Sequence, residues 1–295
     1  MTQNTATLAT EPAKTVEQIA AQGRIRHTPC GAGNLVWHEW GHAPRRLVLF
    51  HGGHGSWTHW LRNIDYFARH YTVLAADLPG SGDSADAPMP QGDESFGDLL
   101  GDIVSAGLDM LIPADTPPYH LAGFSFGGTM AGITAVRQES RLASLTNIGS
   151  NGMALKRGEV PPMIKWRRMT DPNEILAAHR HNLGAHMMAD KAKIDDLAVH
   201  LQYDNTRKCR LRSPIISRTD VLSQALARIK TPVNGIWGER DATTWPYHSL
   251  REEALREHHP ELLYQIVPDA GHWVPYEATE VFNPLLLKFL QAREQ

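Results

Sequence analysis

The sequence predicts an α/β protein built on one mostly parallel sheet of about eight strands, with a helical segment inserted after the sixth strand. Three observations carry this prediction. Short apolar runs of strand length alternate with helix-length segments from Arg46 onward. The rhythm stops between residues 152 and 222, where His, Met, Arg and Lys crowd helical stretches, and then resumes. Finally, the apolar run Arg46 to Phe50 ends abruptly in His51-Gly52-Gly53, as loops do at the carboxyl edge of a sheet, where α/β folds bind ligands.

Residues 1–20 are polar until Val16 and Ile19 and read as a flexible N-terminal arm, with at most a short helix at its end. Arg24 to Pro29 and Asn34 to Trp40 form a hairpin punctuated by Gly31-Ala32-Gly33. After the strand Arg46 to Phe50 come a helical stretch from Trp57 to about Arg69, a strand from Thr72, a helix around Phe96 to Leu111 and a strand from Tyr119. A helix from about Gly128 to Gln138 and a strand from Ser144 to Ile148 complete the first half. The second half holds strands at Val233 and Leu262, a helix around Tyr247 to Glu257 and a last helix from about Glu277 to Leu290. Repeated strand–helix–strand units with short links imply parallel pairing covered on both faces. Residues 21–151 and 223–295 are therefore one core, and residues 152–222, with helical stretches at Asn173 to Met188 and Ala192 to Gln202, are a helical cap or lid.

Composition narrows the function classes. A formal charge of −3 over 295 residues gives no field suited to nucleic acid or an anionic membrane. No run is long and apolar enough to span a bilayer, and the first twenty residues lack a secretion signal, so a cytoplasmic protein is expected. Cys30 and Cys209 show no metal spacing and read as free thiols. The expected partner is a small molecule, partly apolar or aromatic, and the chain is compatible with a homodimer.

Gly123-Phe124-Ser125-Phe126-Gly127, followed by Gly128, places a serine where a strand meets a helix. A serine there sits on a sharp turn that needs flanking glycines and lifts its hydroxyl above the sheet. A serine hydroxyl is a weak nucleophile unless a base held by a carboxylate lies within hydrogen-bond reach. Gly271-His272-Trp273 follows the last strand and Gly238-Glu239-Arg240-Asp241 the one before. The chain order Ser, Asp, His is the order this architecture requires. Ser125, Asp241 and His272 are thus the candidate nucleophile, acid and base.

With His51-Gly52-Gly53 and Asp77-Leu78-Pro79-Gly80-Ser81-Gly82-Asp83-Ser84, these motifs resemble the α/β-hydrolase family over roughly residues 24–292. The resemblance implies an oxyanion hole from the backbone N–H groups of Gly53 and Phe126, and a cofactor-free site. It also favours Asp241 over Glu239 as the acid, because Asp241 stands third after Gly238; Asp269 precedes His272 too closely in sequence to be its obvious partner and reads as shaping the turn. Trp57, Phe124, Trp245 and Trp273 are candidates to line an apolar pocket or to fill the core. Arg207 and Arg210 are candidates to bind a substrate carboxylate, against the alternative of a solvated basic turn.

Two patterns point elsewhere. His38-Glu39-Trp40-Gly41-His42 matches the zinc-protease pattern, but the pattern works only on a helix, and this stretch reads as a strand followed by helix breakers. His179, His181, His186 and His200 form no metal pattern and read as core or solvated histidines. No metal is expected. Within the resembled family, Ser125 sets aside the aspartate-nucleophile branches, the haloalkane dehalogenases and epoxide hydrolases. Hydrolysis of a carboxylic ester or lactone comes first. Carbon–carbon bond hydrolysis of an aromatic ring-fission product comes second, because Phe124 stands where that group often has a polar residue. A receptor or binding protein on the same fold is the reading from another class.

Overall fold

The computed structural model describes residues 10–294. Its strands are β1 (Arg24–Cys30), β2 (Gly33–Trp40), β3 (Arg46–Phe50), β4 (Thr72–Asp77), β5 (Tyr119–Phe124), β6 (Leu142–Ile148), β7 (Val233–Gly238) and β8 (Leu263–Val267). They form one sheet in the order β1-β2-β4-β3-β5-β6-β7-β8. β2 runs antiparallel to β1 and β4, and every other neighbouring pair is parallel. β4, β5 and β7 are buried at every position, as strands covered on both faces must be. The strand period of two divides β3 between the two cores: Val48 and Phe50 face one, Leu47 and Leu49 the other.

The helix Phe96–Leu111 buries Leu100, Val104, Leu108 and Leu111, a stripe at spacings of three and four. The helix Phe126–Gln138 is buried along most of its length, which places its N-terminus, and Ser125 before it, inside the molecule. The predicted helix from Trp57 to Arg69 is instead a 3₁₀ turn at Trp57–Trp60 and a separate short turn at Ile64–Phe67. All four residues of the 3₁₀ turn are buried, so the turn itself has no solvent face for an amphipathic helix to use.

Residues 10–21 correct the expectation of a flexible arm. They form helix Thr10–Ala21, and Val16, Ile19 and Ala20 pack on the second core. Their helical spacing puts them on one face, and the Trp40 Nε1–H donates to the Ile19 carbonyl at 2.8 Å. The rest of the predicted arm, residues 1–9, lies outside the described residues.

Between β6 and β7 the chain leaves the sheet and forms helices Pro172–Asn182, Asp196–Lys208 and Val221–Leu226. Asp171 and Asp195 cap the first two by accepting backbone N–H groups of Asn173 and Ala198. A π-helical turn, Leu183–Met187, continues the first. The insertion has no separate interior: Leu183, Met187, Val199 and Leu201 join one core of the sheet, and Met153, Leu211 and Ile216 the other. Among the described residues, no helix is long and apolar enough to cross a membrane.

Candidate active site

Ser125 lies between β5 and the helix Phe126–Gln138 with φ 53° and ψ −117°, a conformation strained for any residue with a Cβ. The surroundings hold it there. Its N–H donates to the Ile148 carbonyl at 2.7 Å, and its carbonyl accepts from Gly128 N at 3.0 Å. A Cβ on Gly123 would stand 2.2 Å from the Gly127 carbonyl oxygen, and one on Gly127 would stand 2.3 Å from that of Phe50. Only glycine lets helix and strand approach this closely.

The structure brings Ser125, His272 and Asp241 together from three separate strand ends. His272 Nε2 is 2.9 Å from Ser125 Oγ, and His272 Nδ1 is 2.7 Å from Asp241 Oδ2. The other Asp241 oxygen accepts from the Thr243 N–H and hydroxyl, each at 2.8 Å. Complete burial pushes the Asp241 carboxyl up, but His272 and the Thr243 donors outweigh it and hold the group below the ordinary carboxylate range. An ionised Asp241 fixes the proton on Nδ1, leaving Nε2 free to accept from the serine hydroxyl.

Gly53 and Phe126 line the cavity that Ser125 faces, and a Cβ on Gly53 would be 3.9 Å from that of Phe126. Neither backbone N–H has an acceptor among the described residues, as expected for Phe126 at the first position of a helix. His51 braces this loop, accepting from Leu78 N at 2.9 Å through Nε2, while Gly52 N donates to His59 Nδ1 at 3.2 Å. Asp77 anchors the neighbouring loop by accepting from Trp57 N and Asp83 N.

The cavity measures about 940 Å³ and is bounded by the insertion on the side away from the sheet. Of the aromatic candidates, Phe124 lines it, with its ring 5.0 Å from that of His272. Trp57 and Trp273 are core residues, packed on Trp40 and His38 and on Tyr276 and His59 respectively. Trp245 lines a separate cavity of about 550 Å³ that meets His272 from another direction.

Arg207 and Arg210 are a correction to the sequence reading. Arg207 is held by Asp204 at 2.8 Å on its own helix, and Arg210 by Asp86 at 2.8 Å; neither lines the cavity. Each is already paired with a carboxylate of the protein itself. The cations that do line it are Arg157, Lys165, Arg167, Arg168 and Arg218, which lie in loops without helical or strand periodicity to mark them.

Two insertion histidines also have more specific places than the sequence suggested. His186, on the π-helical turn, stacks on His272 at 5.4 Å and 23°. Burial, then the His272 charge, pushes its pKa down to about 3, so its ring is neutral beside the base. His179 lines the cavity with both ring nitrogens buried and unpartnered. The helical periodicity here is broken by the π turn, so no spacing rule in the sequence connects either ring to Ser125. The remaining sequence alternatives resolve locally. Glu239 accepts the Asp269 N–H at 2.9 Å, and Asp269 pairs with Arg240. His38 and Glu39 lie on β2, His38 packed between Trp40 and Trp57 and Glu39 bound by Arg24 and Arg26; the two residues are not on the helix that a zinc site of this pattern requires.

Comparison with known proteins places this geometry in a family. A profile of the alpha/beta hydrolase family matches residues 47–285. The chain is 32% identical over 273 residues to the dihydrolipoyllysine-residue acetyltransferase component of the acetoin cleaving system of Pseudomonas putida, covering 88% of this chain and 68% of that one. It is 27% identical over 260 residues to the 2-hydroxy-6-oxo-6-phenylhexa-2,4-dienoate hydrolase of Burkholderia cepacia, covering 83% and 87%. The solved carboxylesterase of Bacillus subtilis superposes with a TM-score of 0.70 at 18% identity, over 96% of this chain and 98% of that one, a likeness of fold. The chain belongs to the alpha/beta hydrolase family.

Proposed function

We propose that this protein is a serine hydrolase that cleaves a small carboxylic ester or lactone through an acyl-enzyme on Ser125. The observation that carries the reading is the continuous relay from Ser125 Oγ through His272 to Asp241, at 2.9 and 2.7 Å, opening on a cavity large enough for a small substrate. In the first half-reaction His272 Nε2 takes the serine proton as Oγ attacks the carbonyl, and Asp241 stabilises the resulting imidazolium. The N–H groups of Gly53 and Phe126 would receive the developing oxyanion, an interaction typically worth about 2.7–4 kcal/mol; their support is that both residues line the cavity beside Ser125. His272 then protonates the leaving alkoxide, and a water activated by the same Nε2 releases the acid. Residues 152–222 act as a cap that keeps bulk water from the acyl-enzyme.

Carbon–carbon hydrolysis is the second reading. Its support is the sequence similarity to the dienoate hydrolase, which extends over most of both chains. The deciding experiment compares 4-nitrophenyl butyrate with a vinylogous 1,5-diketone acid, for wild type and Ser125→Ala. The ester should turn over, and Ser125→Ala should lose about 10⁴-fold or more in kcat. Undiminished ester turnover by the variant would sink the mechanism. Exclusive turnover of the diketone would move the second reading to first place.

A further inference from the structure

We propose that the substrate of this site carries a carboxylate, clamped by Arg157 and Arg218 on the insertion side of the cavity. This inference rests on the hydrolase reading above and adds the chemical class of the substrate.

The cavity wall is charged in one sense only. Arg157, Lys165, Arg167, Arg168 and Arg218 line it, and among the described residues no aspartate or glutamate does. The chain as a whole carries a net charge of −3, so the concentration of cations is local to this wall and opposes the overall balance. Several arginines elsewhere are neutralised by nearby carboxylates. Arg137 is held by Asp98 and Asp102, Arg141 by Asp109, Arg207 by Asp204 and Arg210 by Asp86.

Arg157, on the cavity wall, has no such carboxylate among the described residues. It is half-buried, and no protein group accepts a hydrogen bond from its guanidinium among the described residues; burial and the nearby Arg218 charge depress its pKa, against a partial pull from the Asp241 carboxylate. Arg157 and Arg218 also share the wall of an adjoining cavity of about 290 Å³, with Asn151 and Ser217. Two guanidinium groups at one wall repel each other, and the half-buried Arg157 also loses hydration. A bound carboxylate reverses both costs, because each planar fork can supply paired N–H donors to it. Asn151 and Ser217 line both cavities beside them and provide neutral donors. The same cavity wall reaches Ser125 and His272, so an acid group seated there belongs to a molecule whose carbonyl faces the serine.

The test uses two esters of matched length, 4-nitrophenyl butyrate and 4-nitrophenyl hemisuccinate, which differ by a terminal carboxylate. Wild type should prefer the hemisuccinate in kcat/KM by about tenfold or more, the scale of a charged hydrogen bond. In Arg157→Gln and in Arg157→Gln/Arg218→Gln the preference should fall towards one, chiefly through KM, while Arg157→Lys should restore part of it. No preference in wild type, or an undiminished one in the double variant, overturns the clamp. Calorimetric titration of Ser125→Ala with glutarate gives a readout without turnover. Binding that disappears on adding Arg157→Gln supports the clamp even if neither ester reacts, and glutarate that binds no more tightly than neutral 2,4-pentanedione overturns it. Loss of ester turnover in Ser125→Ala together with absence of a hemisuccinate preference would leave the hydrolase reading standing and remove only this inference.

Discussion

At the scale of the residue, Asp241 is the most informative position after Ser125. Three hydrogen bonds converge on its carboxylate, from His272 and from the two Thr243 donors. Asp241→Asn keeps the volume but can present an N–H to Nδ1 and so hold the proton on Nε2, the wrong nitrogen. A loss of about 10⁴-fold in kcat is expected, with little change in KM or in the folded circular dichroism spectrum; a loss confined to KM would contradict the role. Arg207→Ala and Arg210→Ala give the opposite expectation. Each removes an exposed ion pair worth about 0–1 kcal/mol, so KM for the hemisuccinate should stay within about twofold of wild type, and a larger rise would return these residues to the site. The contrast between these positions shows what a sequence can reveal about a site. Ser125, Asp241 and His272 are legible because each follows a strand directly and fold topology brings strand ends to one edge. The partner of an arginine is not legible in that way. Asp204 is three residues from Arg207 on one helical face, whereas Asp86 reaches Arg210 only through the tertiary fold.

At the scale of the element, the turn that carries Ser125 links sequence to chemistry through close backbone approach. Gly127→Ala would place a methyl group 2.3 and 2.5 Å from the carbonyl oxygens of Phe50 and His51, which are strand and loop backbone and cannot rotate away. The helix Phe126–Gln138 must then move off β3, costing about 1–3 kcal/mol of stability. The same shift would carry the Phe126 N–H away from Gly53, so kcat should fall even in the fraction that remains folded. Chemical denaturation and kinetics on one preparation check both outcomes; a variant with wild-type midpoint and rate would show that the packing is looser than described. Buried strands such as β3 and β4 were readable as short apolar runs, and the helix at Phe96 as a stripe. Trp57–Arg69 and Leu183–Met187 were not, because a fully buried 3₁₀ turn and a π turn lack the 3.6-residue period that pattern reading depends on.

For the whole molecule, the insertion and the sheet share continuous cores, so groups buried in either contribute to one unfolding equilibrium. Several of these are histidines kept neutral. Burial pushes His120 and His179 down to about 4 and His186 to about 3, and lowers His51 and His59 as well. For His120 this holds although Glu294 lies 3.3 Å away and Ser144 Oγ 2.8 Å away, since desolvation exceeds the carboxylate's pull, and the Arg45 charge adds to the depression. The sign follows from linkage. Below about pH 6.5 the unfolded chain protonates these imidazoles while the folded one does not, so the unfolded state binds more protons and stability falls as pH falls. Each such group contributes at most about 1.4 kcal/mol per pH unit across its window. The depressed carboxyls of Asp77 and Asp241 act in the same direction only below about pH 4, where unfolded aspartates begin to protonate. The two contributions therefore separate on the pH axis. Urea midpoints should hold steady near pH 7 and decline from about pH 6.5 towards about pH 4.5. His120→Gln, which removes one of these imidazoles while keeping a polar partner for Ser144, should be less stable at neutral pH yet decline less steeply over that interval. If wild type and His120→Gln lose stability in parallel, the neutral imidazole at the core is not what makes the fold acid-sensitive.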